Sequence, residues 1–135
     1  MSQPPMPLIQ AIQRRAAVVA IGPSTVRGQG ASGIVKAVSE FLAVLSLRPF
    51  AVSEAGRFRA ALNSSTDDLV RTLPSKARSW GLARKCVNIF LHDAYYNSYL
   101  VREFGLAQAE PFYEVPLDGV VARELKRRAE RGKLP

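Results

Sequence analysis

Apolar residues recur at Leu8, Ile9, Ile12, Ala16 and Val19, the spacing of a helix with one buried face. The end of this segment, AVVAI, also fits a short buried strand, and the pattern admits both. The next stretch, GPSTVRGQGASG, reads as loop. Ile34, Val35, Val38, Phe41, Leu42 and Leu45 define a second amphipathic helix over 31–46, and Pro49 follows as a stop. Ser53 with Glu54 can open a third helix through Leu62. Ser65 or Thr66 can cap a short fourth to Leu73, with Asp67 and Asp68 favourable in its first turn. Pro74 then punctuates the chain. From Ser79 or Trp80 to Phe104 the pattern is helical, with a break expected near His92-Asp93 or Asn97 and Gly105 as a C-cap. Residues 106–117 read as connection and 119–131 as a final helix. The expected fold is all-α, a compact bundle of about five to seven helices. A loose Pro-rich segment, 1–7, precedes a single helical domain, 8–135.

Composition sharpens this picture. Of 135 residues, 47% are apolar, enough for a core, and the net charge is +8. Arginines outnumber lysines 14 to 5, and arginine makes the bidentate contacts that phosphates favour. No acidic residue occurs in the first 39 positions, and Gly119–Pro135 holds six basic residues against two acidic ones. Basic ends around a more acidic middle point to a polyanionic partner, nucleic acid first. A basic surface that serves only solubility is the alternative.

Other chemistries lack their residues. Cys86 is the only cysteine, so no intrachain disulfide can form, which suits a reducing, cytoplasmic setting. With His92 it falls short of the roughly four ligands of a common zinc site. No nucleophile motif accompanies His92 for a Ser-His-Asp triad. The start, MSQPPMPLIQ, lacks the basic-then-apolar order of a signal peptide. No apolar run reaches the roughly 18 residues of a membrane span.

Gly28, Gly30 and Gly33 fit GxGxxG, a pattern that marks a dinucleotide site only directly between a strand and a helix. Here AVVAI ends six residues before Gly28, with Pro23 between them, and no strand-helix alternation follows. No cofactor is expected. Arg27, Gly28 and Gly30 remain candidates for holding a phosphate at a helix start, against an ordinary loop and helix entry.

The residues with most chemical content lie further on. Leu82, Cys86, Ile89 and Phe90 share a helical face, and Lys85 sits near that helix's start, where the dipole disfavours an ammonium. A desolvated lysine there is a nucleophile; a solvated one is merely polar surface. In EVPLDGVVARELKR, Asp118 precedes a basic helix, a favoured N-cap position. Capping with one carboxylate oxygen leaves the other for a ligand.

GLARKCVNIFL followed by EVPLDGVVARELKR resembles the helix-hairpin-helix DNA glycosylases. Gly81, Arg84 and Lys85, then Val115, Pro116, Asp118, Val121 and Arg123, carry the resemblance, over roughly residues 69–128. The hairpin departs from that family's usual Leu-Pro-Gly-x-Gly, since Leu73-Pro74 is followed by Ser75-Lys76. The resemblance implies a glycosylase-like helical fold and a base flipped out of the duplex. It implies Lys85 as the attacking amine and Asp118 as the carboxylate that supports positive charge on the sugar. Trp80, Tyr95, Tyr96, Tyr99, Phe112 and Tyr113 are candidates for holding the base or wedging the stack, or else core aromatics. Arg84, Arg123, Lys126 and Arg127 are candidate phosphate contacts. His92 and Asp93 read as polar residues at a helix break, and Cys86 as a small buried apolar side chain. A noncatalytic helical nucleic-acid-binding module and a helical protein-interaction domain remain the alternatives.

Overall fold

A computed structural model describes residues 6–22, 33–75 and 78–114. Among these residues there are five α-helices and no strand: α1 Met6–Ala20, α2 Ile34–Ala43, α3 Ala55–Thr72, α4 Trp80–Tyr96 and α5 Ser98–Phe104. Short 3-10 turns occur at Arg48–Phe50 and Leu106–Phe112. The all-α reading holds. Helix α1 begins at Met6, inside the segment expected to be loose, and runs through the AVVA that also fitted a strand. The GxGxxG pattern therefore has a helix upstream, which removes the strand-turn-helix context of a dinucleotide site. Of its glycines only Gly33 is described, at φ 82° as the N-cap of α2.

Helix α4 lies at the centre and packs against α1, α2, α3 and α5. Its buried stripe is Leu82, Cys86, Phe90 and Ala94, with Ala83, Val87 and Leu91 closing a second row. A helix buried on so wide an arc belongs inside a bundle. Helices α2 and α3 offer single stripes at helical spacing: Ile34, Val38 and Leu42 on α2, and Phe58, Leu62, Thr66 and Leu69 on α3. Phe50, in the turn between α2 and α3, is fully buried and meets Phe58 edge-on at 5.6 Å. Fully burying each such ring contributes about 1.5–3 kcal/mol.

The stripe of α1 is Ile9, Gln13 and Ala17, so a polar residue occupies a core position. Its amide nitrogen donates to the carbonyls of Leu42 at 2.9 Å and Leu45 at 2.8 Å. Gln13 thus gives the Leu42 carbonyl a second donor beside the Leu45 amide, and gives the Leu45 carbonyl, just past α2, a side-chain donor.

The expected third and fourth helices are one, α3. Thr66 is buried, and its hydroxyl donates to the Leu62 carbonyl at 2.7 Å, one turn back, instead of capping a new helix. The break in the following segment falls at Asn97, whose side chain accepts from the Tyr99 and Leu100 amides and so starts α5. His92 and Asp93 lie within α4, not at a break. Gly105 ends α5 at φ 66°, in the left-handed region, and a Cβ there would stand 3.1 Å from the Gln108 amide. No described helix is long and apolar enough to cross a membrane.

Candidate functional site

Ser79 caps α4 by accepting from the Leu82 amide at 3.2 Å, which fixes the start of the helix and the direction of its first two turns. With Leu82 and Cys86 turned inward, Arg84 and Asn88 fall one turn apart on a flank facing α3 and the end of the described chain. There they meet Glu114. Arg84 Nε donates to Glu114 Oε1 at 2.9 Å and Arg84 Nη2 to Oε2 at 3.0 Å, a bidentate fork. Asn88 adds a third donor to Oε1 at 2.9 Å.

The same guanidinium continues into α3. Its Nη1 donates to Asn63 Oδ1 at 2.7 Å and to Thr66 Oγ1 at 3.3 Å. Its carbon lies 5.0 Å from the centre of the Trp80 ring, a cation–π arrangement. The Trp80 indole N–H in turn donates to Asp67 at 3.2 Å, while half of the residue stays exposed. Arg84 therefore ties together α3, α4 and the chain beyond Pro111. Its hydrogen bonds hold the Glu114 carboxyl below the usual carboxylate range, helped by Asn88 and by the charges of Arg84 and Arg59, against the upward push of burial.

Tyr113, beside Glu114, is stacked on Phe58 at 5.2 Å and edge-on to Tyr95 at 5.4 Å. Phe112 is tilted 6.1 Å from the same Phe58 ring. The Tyr113 hydroxyl is buried and meets no hydrogen-bond partner among the described residues. Burial first, and then Tyr95, pushes its pKa up to about 12, so it stays protonated.

The residues singled out from the sequence separate into three groups. Arg84 lies at the centre of the network, with Trp80 against it and Lys85, partly buried, next to it on α4. Tyr95, Phe112 and Tyr113 are partly buried in the aromatic cluster around Phe58, whereas Tyr96 and Tyr99 are exposed at the α4–α5 junction. Asp118, Arg123, Lys126 and Arg127, and likewise Arg27, Gly28 and Gly30, lie outside the described residues. Cys86 is fully buried as expected, and burial pushes its thiol up to about 11, with the neighbouring Lys85 charge acting the other way. Among the described residues no cluster of three His, Cys, Asp or Glu side chains could hold a metal ion.

Asn63, Asn88 and Glu114 carry no mark of a site in the sequence, and Thr66 reads there only as a helix cap. Arg84 and Asn88 stand at i and i+4, a usable signal for a shared face. Asn63 and Thr66 share a face only on a continuous α3. Splitting that helix hid them.

No protein family, curated protein or solved structure matches the chain.

Proposed function

We propose that the protein is a DNA-processing domain of the base-excision glycosylase/lyase kind, acting on a modified base turned out of its strand. The observation that supports this reading is the clasp between Arg84 and Glu114. It binds the chain four residues before Asp118 to the residue next to Lys85. In the proposed reaction the Lys85 amine attacks the anomeric carbon and the bond to the base breaks. The base leaves with the bonding pair and takes up a proton. Opening of the sugar ring, with its oxygen protonated, then leaves the lysine as an iminium. Asp118 stabilises the positive charge that develops on the sugar. The test is base release from duplexes carrying assorted damaged bases, with borohydride trapping of the iminium. Lys85→Gln is expected to abolish the trapped adduct and Asp118→Asn to slow release by orders of magnitude, both at an unchanged melting temperature. A folded Asp118→Asn protein with full activity would remove Asp118 from the mechanism and leave it a helix cap.

The second reading is a noncatalytic nucleic-acid-binding module. The half-exposed Trp80, held against Arg84 beside Lys85, favours it, since an exposed indole next to cations suits a base on a charged backbone. Salt-dependent binding without base release or a trapped adduct would select this reading.

A further inference from the structure

Tyr96 is 76% exposed, Val19 69% and Tyr99 53%, and the three line one cleft between α1 and the α4–α5 junction. Its volume is about 530 Å³, within the ordinary range of ligand sites. Ile12 forms apolar wall, Arg15 lies on the α1 side and Asp93 on the α4 side. The Tyr96 ring is held by its neighbours. Tyr95 meets Tyr96 edge-on at 5.2 Å, and His92 lies 6.0 Å from it. Asn97 separates the two helices and caps the second through the Tyr99 amide. Both rings are thus presented from fixed backbone on either side of one break.

We infer that this cleft takes unpaired nucleotides of a nucleic-acid strand, with Tyr96 and Tyr99 as stacking platforms and Arg15 as a phosphate contact. The occupant follows from charge and shape. Helix α1 carries Arg14 and Arg15, both exposed, and no acid precedes Glu40 in the chain. Exposed aromatic rings beside a cationic helix match the alternation of flat bases and anionic backbone. Asp93, the one acid lining the cleft, is suited to accept from a base amino group.

Position links the cleft to the proposed site, and to that extent the inference rests on it. Lys85, Ile89, Asp93 and Tyr96 follow one strip of α4. Lys85 and Tyr96 are eleven residues apart, about 16 Å along the axis, a distance that a few nucleotides of one strand span. A strand engaged at Lys85 extends naturally to Tyr96.

The experiment uses the full chain at low salt and measures anisotropy of a labelled thymidine oligonucleotide and of a strand of the same length built from tetrahydrofuran residues, which lack both the base and the anomeric hydroxyl that Lys85 would need. Tyr96→Ala and Tyr99→Ala are expected to weaken thymidine-strand binding by about 5- to 150-fold each, the range of base–aromatic stacking. The wild type is expected to lose a similar factor on the abasic strand. Arg15→Gln is expected to lower the salt slope by about one. Tyrosine variants that fold and bind like the wild type would overturn the inference. So would equal affinity for the abasic strand, absence of any complex, or light scattering that shows Tyr96→Ala dissolving a dimer while leaving binding intact. Base release from damaged duplexes is read separately. Release with no effect of the tyrosines sinks the cleft and spares the glycosylase, and the converse result spares the cleft.

Discussion

Arg84 on α4 holds Glu114 through two parallel hydrogen bonds of 2.9 and 3.0 Å across 30 residues of sequence. The arginine side chain is 13% exposed and the glutamate 38%, so the pair is neither a surface ion pair nor a fully buried one. Its value lies between the small contribution of exposed pairs and the large cost of stranding a buried charge.

Arg84→Met removes the fork, the two hydrogen bonds to α3 and the partner of Trp80 while keeping the aliphatic stem. The expected loss is about 1–3 kcal/mol, seen as a lower urea midpoint with an unchanged slope. The double-mutant cycle with Glu114→Gln is expected to show positive coupling. Additive losses would mean that the two residues contribute independently.

Acid tests the same pair from the other side. Glu114 is held below its ordinary 4.5 in the folded protein, first by its hydrogen bonds from Arg84. The stabilisation is therefore complete above the unfolded pKa and is lost as pH falls through the lower folded value. Urea midpoints of wild type and Glu114→Gln are expected to differ at neutral pH and to converge on acidification. A gap that stays constant down to about pH 2 would show that the carboxylate is not the source.

Gln13→Leu places an apolar side chain at an apolar position of the α1 stripe. It is nevertheless expected to destabilise the protein by about 1–3 kcal/mol, because the Leu45 carbonyl loses its side-chain donor and the Leu42 carbonyl keeps only the Leu45 amide at 3.3 Å. Chemical denaturation decides. A variant as stable as wild type would mean that water replaces the amide at both carbonyls.

Cys86 offers a probe of opening. With full burial and a thiol pushed up to about 11, it is expected to resist a thiol-reactive dye in native buffer and to react stoichiometrically in denaturant. Labelling in native buffer at the rate of a small free thiol would contradict the buried position.

Some of this protein was legible in its sequence alone. The apolar stripes of α2 and α4, the left-handed turn at Gly105 and the arrest at Asn97, one of two breaks the pattern offered, depend on residues within a turn or two of one another. On α1 the helix was legible but its buried face was not, since Leu8 and Val19 are exposed while Gln13 and Ala17 are buried. Helical periodicity and capping are local properties, so a linear pattern carries them. The burial of Cys86 followed from the same periodicity. Three features required the tertiary structure. Thr66 looked like a cap because hydroxyls compete for backbone groups, and only packing that buries it against α4 made the bond back to Leu62 the better one. Gln13 lies off the apolar spacing read from the sequence, and only the arrival of the end of α2 beside it makes it a core residue. Glu114 was one acid among eleven until folding carried it to Arg84. A polar side chain's role is set by the groups that surround it after burial, and those groups come from distant parts of the chain.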